Sequence, residues 1–92
     1  MTKCVHREKV AGQLWVDVEP LNARDLFLYE DSDGYSSAMK ALRQKHSRFY
    51  RVIARLAVGK TTDEILTAIA TKKQKAVTTA KKWAAQERAL QI

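Results

Sequence analysis

The spacing of apolar residues changes along the chain, and the first spacing is that of a strand. Residues 13–19, QLWVDVE, alternate between apolar and polar side chains. The apolar positions are Leu14, Val16 and Val18. Strict alternation predicts a half-buried strand, which Pro20 ends, and Gly12 predicts a turn that pairs it with residues 4–10.

Beyond Pro20 the spacing becomes that of amphipathic helices. A short helix is predicted in LNARDLFLYE, with Asn22 as its N-cap. Its partly buried side chains are expected to be Leu26, Phe27 and Tyr29. Two further helices are predicted from apolar residues spaced i, i+3, i+4, i+7. These residues are Tyr35, Ala38, Met39 and Leu42 in the first helix, and Phe49, Val52, Ile53 and Leu56 in the second. The second helix spans 47–58, and Gly59 follows it as a left-handed terminator.

Two capping boxes stand close together in the next stretch. Thr61-x-x-Glu64 and Thr71-x-x-Gln74 each match the pattern in which a hydroxyl and a carboxamide or carboxylate satisfy free amides at a helix start. They predict a helix over 62–69 and a longer one over 72–90. The side chains expected to be buried between the helices are Ile65, Ile69, Ala76, Ala80 and Trp83.

Two closely joined helices, of which the second is longer and basic, are typical of a helix-turn-helix, and helix 47–58 would complete a tri-helical core. The predicted fold class is therefore mainly α, with this core, a short N-terminal β-strand or hairpin and one extra helix. Residues 1–33 are predicted to form an acidic strand and helix extension. Residues 34–92 are predicted to form the helix-turn-helix domain, within one compact domain overall.

Charge supports a polyanionic partner. The chain of 92 residues has a formal net charge of +7. Residues 1–33 contain four Lys/Arg and seven Asp/Glu, a net of −3, whereas residues 34–92 contain thirteen and three, a net of +10. A basic half of this kind favours nucleic acid as the partner, although a solvated basic surface would give the same composition.

The candidate DNA-binding side chains lie in and before the second helix of the predicted motif. A recognition helix needs short polar residues for base edges and cations for phosphates. The residues that meet this need are Lys60, Thr61, Lys72, Lys73, Lys75, Thr78, Thr79 and Lys82. We therefore expect helix 72–90 to read the major groove of double-stranded DNA.

The segment LAVGKTTDEILTAIATKKQKAVTTAKKW resembles the helix-turn-helix of LuxR-type regulators and of sigma factor region four. The matching positions are Leu56, Gly59, Lys60, Thr61, Glu64, Ile65 and Ile69. Ala76 and Thr71 depart from the pattern, since those families usually place Val and a bulky apolar residue there. Over residues 31–90 the chain is also similar to phage antitermination proteins of the Q class. These resemblances imply a transcription regulator from a phage or mobile element, acting in the bacterial cytoplasm or nucleoid.

Other kinds of site are disfavoured by residue type. Tyr29 and Lys40 stand where a calcium loop around DSDG would need acidic ligands. Cys4 and His6 lack further ligands nearby for zinc, and Ala54 replaces the first glycine of a phosphate-binding loop before GKTT. We therefore expect no enzyme activity, no catalytic residue, no metal and no cofactor. No apolar run has the length of a membrane span, and the N-terminus lacks the apolar core of a signal peptide.

Three functions stay open at this point. The first is sequence-specific regulation through DNA. The second is a protein–protein module that docks on host RNA polymerase, a nuclease or another phage protein. The third is the DNA-recognition subunit of a phage terminase. The acidic residues 1–33 offer a surface for a protein partner or for a second copy in a homodimer.

Overall fold

A computed structural model describes residues 4–45 and 48–90 of the chain. Within them, four antiparallel strands form one sheet in the order β1-β2-β3-β4. The strands are β1 His6–Ala11, β2 Leu14–Leu21, β3 Phe49–Val58 and β4 Thr61–Ala70. A 3₁₀ helix, Ala23–Tyr29, and α1, Tyr35–Arg43, lie between β2 and β3, and α2, Lys73–Leu90, follows β4.

The prediction of a mainly α fold with a tri-helical helix-turn-helix core is wrong. Residues 49–58 of the first segment expected to be a helix, 47–58, instead form β3, and residue 47 lies outside the described residues. The second segment, 62–69, lies within β4, which pairs with β3 as one hairpin. The described part of the chain is therefore a mixed α and β fold built on a sheet.

The apolar spacing of segment 49–58 wrongly predicted a helix because both faces of this strand bear apolar side chains. Tyr50, Val52 and Ala54 lie on one face of β3, and Phe49 and Ile53 lie on the other. Apolar residues on both faces satisfy a period of 3.6 as well as a period of two, so periodicity alone cannot separate the two structures. Its aromatic and β-branched residues suit a pleated strand, and pairing with β2 and β4 on its two edges decides the structure.

The first capping box belongs to a β-hairpin. Gly59 has a positive φ of 61°, as predicted, but it occupies the turn between β3 and β4 and ends no helix. Glycine at the first position of a two-residue hairpin turn matches the right-handed twist of the flanking strands. The Thr61 hydroxyl donates to the Val58 carbonyl at 2.9 Å across this turn, and Thr61 begins β4, so no helix follows for it to cap.

Several local predictions are confirmed. β1 and β2 form the predicted hairpin, and α1 and α2 lie where helices were expected. Asn22 caps the 3₁₀ helix, because its side chain accepts a hydrogen bond from the Arg24 amide. Thr71, by contrast, is not the cap of α2: Lys72 precedes the first turn, and its carbonyl accepts from the Ala76 amide at 3.1 Å.

α2 covers one face of the sheet. Ala76, Ala80 and Ala84 are fully buried, as the helical spacing predicted for the first two, but they pack on strands and not on another helix. Small side chains let the helix backbone approach the sheet closely. The strand residues beneath them are Val16, Val18, Val52 and Ala54, with Trp83 partly buried beside them.

The 3₁₀ helix and α1 cover part of the opposite face. Leu26 and Ala38 are fully buried against Leu21, Phe49 and Ile69. Two expectations fail here, because Phe27 is 56% exposed and Ile65 is 45% exposed. Phe27 follows the inward Leu26 on the 3₁₀ helix, and Ile65 lies at the irregularity in β4 where pairing with β3 shifts register.

Candidate nucleic-acid interface

The surface of α2 that faces away from the sheet is basic. With Ala76, Ala80 and Ala84 directed inward, the helical repeat directs Lys75, Thr78 and Lys82 outward. All three of these outward side chains are exposed. We call the following set of exposed residues, which adds the lysines at the start of the helix and Lys81 on its flank, the basic face of α2: Lys72, Lys73, Lys75, Thr78, Lys81 and Lys82. It covers the first part of an 18-residue helix that is about 27 Å in length, as far as Lys82.

The lysines of the basic face have no carboxylate partners within residues 4–45 and 48–90. The ion pairs of the described chain involve His6, Arg7, Arg51 and Arg55 as cations. From Lys72 to Leu90 there are six basic residues and a single acidic one, Glu87. The positive potential of this surface is therefore not cancelled locally, which favours an external anion.

The fold brings together six of the eight predicted DNA-binding residues. Lys72 and Lys73 are exposed at the start of α2, Thr78 points outward, and the remaining three share one side of the helix. Those three, Lys75, Thr79 and Lys82, line a cleft between α2 and the start of α1. Thr79 is only partly exposed there.

Lys60 and Thr61 are separated from the other six residues. They lie at the turn between β3 and β4, at the opposite end of the ten-residue strand β4 from the start of α2. An extended strand of that length spans about 30 Å. The predicted helix-turn-helix would have placed them beside helix 72–90, but the hairpin moves them to the far end of the sheet.

The hydroxyl groups of the two threonines on α2 already donate hydrogen bonds within the helix. The Thr78 hydroxyl donates to the Gln74 carbonyl at 2.9 Å, and the Thr79 hydroxyl donates to the Lys75 carbonyl at 3.0 Å. Each hydroxyl keeps its lone pairs for accepting a hydrogen bond. On the exposed surface, Thr78 can therefore accept from a base amino group, whereas Thr79 faces the cleft.

Sequence reasoning missed an ionic network on the sheet face opposite α2. Asp17 accepts from Arg7 Nε at 2.6 Å, Arg55 Nη1 at 2.7 Å and Trp15 Nε1 at 3.0 Å. Arg55 also donates to Glu19 at 2.8 Å. The network continues through Arg51, which donates to Glu19 at 2.6 Å and to the Tyr29 hydroxyl.

The arginines hold both buried carboxylates in the charged state. Asp17 is completely buried and Glu19 is 5% exposed. Burial by itself would raise the pKa of each carboxyl, but hydrogen bonds from Arg7, Arg55 and Trp15 to Asp17 outweigh it and lower that pKa. Hydrogen bonds from Arg55 and Arg51 lower the pKa of Glu19 in the same way. The two carboxylates thus hold Arg7, Arg51 and Arg55 in ion pairs on the other side of the sheet from the basic face.

A signal for this network exists in the sequence. Asp17 and Glu19 alternate with Val16 and Val18, which places both acids on the face of β2 that the helix does not cover. Arg51 and Arg55 are four residues apart, a spacing that puts them together on one face of a strand as well as on a helix. Only the strand register, which sets Glu19 opposite Arg51, makes them partners.

The described residues contain no group of three His, Cys, Asp or Glu side chains placed to hold a metal ion. None of the helices in residues 4–45 and 48–90 is long and apolar enough to cross a membrane. No family model, curated protein or solved structure matches this chain.

Proposed function

We propose that the protein binds double-stranded DNA through the basic face of α2. The observation that carries this proposal is the segregation of charge by the sheet. Asp17 and Glu19 are neutralised by arginines on one face, while the lysines on the other face point to solvent without carboxylate partners in the described ranges. Unpaired cations in a row along a helix are suited to phosphates spaced along a nucleic-acid backbone.

The shape of α2 is compatible with a duplex. Its inner surface of small residues packs on the sheet, so the opposite side, which bears Thr78, faces solvent, and the side that bears Lys75, Thr79 and Lys82 adjoins the start of α1. A major groove admits an α-helix, and Gln74 and Thr78 lie among the lysines where base edges would be. The helix-turn-helix from which regulation of transcription was expected is absent from the described residues, so duplex binding is the function that this surface itself supports.

The test is the salt dependence of binding to a random-sequence duplex. Phosphate contacts release counterions, so the affinity should fall steeply as salt rises. Lys72→Gln with Lys73→Gln should reduce the slope of log K against log salt by about two units, one for each lost contact. The control, Lys40→Gln with Arg43→Gln, removes the same two charges from α1 and should change the slope less.

Two results would contradict the proposal. One is the absence of salt-dependent duplex binding by the unaltered protein at low salt. The other is an equal loss in the α1 control, which would show that total charge and not the basic face sets the affinity. Selection of bound sequences from random duplexes, repeated with Thr78→Val, tests base reading: a preference that weakens in the variant places Thr78 against a base.

A second candidate, a protein-contacting module, is favoured by one observation. Phe27 and Leu28 are adjacent on the 3₁₀ helix and are 56% and 78% exposed. Four carboxylates flank them in sequence, at Asp25, Glu30, Asp31 and Asp33. Exposed apolar side chains with acidic surroundings suit a basic protein surface, and the basic face of a second copy is one such surface.

Sedimentation over a range of protein concentrations tests this second candidate. Association that rises with concentration, and that Leu28→Ser abolishes, supports contact between copies through the 3₁₀ helix. A monomer at every concentration, for both the unaltered chain and the variant, excludes contact between copies.

A further inference from the structure

An open cleft of about 330 Å³ lies between the start of α1 and one side of α2. Lys75, Thr79 and Lys82 form the α2 side, because residues spaced by four and three positions share one side of a helix. Gly34 and Ser37 form the α1 side, and the last residues of β4 also line the cleft. The cleft is therefore continuous with the basic face of α2.

A close backbone contact fixes the α1 side of the cleft. The Ile69 amide of β4 donates to the Asp33 carbonyl at 2.6 Å. Gly34 follows with a φ of 84°, and a Cβ at this position would lie 1.9 Å from the Ile69 carbonyl oxygen. The start of α1 is thus held against β4, which sets the separation of Ser37 from the lysines of α2.

The cleft offers donors to an anion. Lys75 and Lys82 supply two ammonium groups with no carboxylate within ion-pair distance in the described chain. Ser37 supplies a hydroxyl that donates to no acceptor in the described chain, and Trp83 also lines the cleft. Asp33 also lines the cleft, so the charged lining side chains amount to two lysines against one carboxylate.

We infer that this cleft binds one phosphate group of the DNA backbone and so fixes the position of α2 along the duplex. The inference rests on the proposed function and adds the contact that would fix the orientation of α2 on the duplex. Ammonium and hydroxyl donors arranged around an open space are the groups that bind phosphate oxygens in protein–DNA interfaces. A phosphodiester and a free phosphate ion present the same oxygens, and the experiment below separates them.

Ser37→Asp is the sharpest variant, with Ser36→Asp as its control. Both serines are exposed in the first turn of α1, where a carboxylate is favourable to the helix, so both variants should fold. Each adds one negative charge, but only Ser37 lines the cleft. Ser37→Asp should weaken duplex binding roughly tenfold, and Ser36→Asp by less than about threefold, because the loss of a charged hydrogen bond corresponds to about a factor of ten.

Asp33→Asn provides a change of opposite sign. Removing the carboxylate from the cleft should strengthen duplex binding, and Asp31→Asn, outside the cleft, should do so less. Ser37→Asp and Ser36→Asp with equal affinities, or Asp33→Asn with no more effect than Asp31→Asn, would overturn the inference while leaving duplex binding by the basic face intact. If the unaltered protein does not bind duplex at all, the proposed function fails first.

Competition with inorganic phosphate identifies the source of the phosphate. A cleft suited to a phosphodiester within a duplex should release the duplex no more readily in millimolar phosphate than in chloride of equal ionic strength. Displacement of duplex from the unaltered protein, but not from Ser37→Asp, by phosphate at that ionic strength would overturn the inference in favour of a free-anion site.

Discussion

Gly34 occupies a position that no residue with a side chain fits. Its positive φ is unfavourable for other residues, and a Cβ would meet the backbone oxygen of Ile69. Gly59 has the same sign of φ, but a Cβ added there would have no other atom within 4 Å. Substitutions at the two glycines therefore distinguish the cost of backbone strain from the cost of steric overlap.

Gly59→Ala should lower the free energy of unfolding by about 1–2 kcal/mol, from strain alone. Gly34→Ala should lower it by at least about 3 kcal/mol, because the overlap with Ile69 adds to the strain. Denaturant unfolding of the two variants measures both losses. Equal losses would mean that α1 does not approach β4 as closely as the structure has it.

Asp17 is the residue on which the ionic network depends. Asp17→Asn leaves Arg7 and Arg55 with an uncharged partner in a buried position, and breaking a buried pair costs about 3 kcal/mol at neutral pH. The folded pKa of Asp17 lies below its unfolded value, so its contribution is complete above about pH 4 and is lost as the pH falls through the folded pKa. The stability difference between the unaltered protein and Asp17→Asn should therefore shrink below about pH 4.

Unfolding by urea at pH 7 and at lower pH values measures this difference. Asp31→Asn, an exposed carboxylate without a described ion pair, is the matched control and should change stability little at any pH. A difference for Asp17→Asn that stays constant from pH 7 to the acid limit would show that the pKa of Asp17 is the same in the folded and unfolded chain, so that the arginines do not stabilise its charged form.

At the scale of elements, α2 depends on small side chains facing the sheet. Ala80 is fully buried against the strands, whereas Lys81 is exposed one position further along the helix. Ala80→Leu adds volume where helix and sheet nearly touch, and should cost about 1–3 kcal/mol. Lys81→Leu adds the same side chain to the exposed side and should cost much less. Thermal melts of both variants measure the two losses of stability. A larger loss for Lys81→Leu than for Ala80→Leu would mean that the inward side of α2 is misassigned.

At the scale of the whole molecule, β2 and β3 are neighbours in the sheet although they are far apart in the chain. β2 lies within residues 1–33 and supplies Val16 and Val18 to the core under α2. It also supplies Asp17 and Glu19 to the arginines of β1 and β3. Residues 34–92 therefore hold only part of the sheet and part of the core.

A chain of residues 31–92 should consequently fail to fold on its own. Without β2, Val52, Ala54 and the alanines of α2 lose part of the apolar surface that covers them. Arg51 and Arg55 lose the two buried carboxylates of β2. Circular dichroism and thermal unfolding should show no cooperative transition. Adding a peptide of residues 4–30 should restore one. A cooperative melt of 31–92 by itself would establish it as an independent domain.

Local sequence determined what depends on neighbouring residues. Alternation at 13–19 predicted β2, the Asn22 cap and the spacing around Ala38 predicted the 3₁₀ helix and α1, and the alanines at 76 and 80 gave the inward side of α2. These predictions are confirmed because a half-buried strand and an amphipathic helix each have one apolar side, and a capped helix begins at a capping residue. Both signals lie within a short stretch of sequence. The lysines that form the basic face followed from the same assignment.

Tertiary structure alone decided between helix and strand for β3 and β4. Phe49–Val58 bears apolar side chains on both faces, since α2 covers one face and the 3₁₀ helix with α1 covers part of the other. The spacing of its apolar residues therefore fits a helix as well as a strand. The pairing of Glu19 with Arg51, and the meeting of Lys82 with Ser37 in one cleft, likewise join residues from distant parts of the chain. Such contacts depend on strand register and on the packing of layers, which no short stretch of sequence specifies.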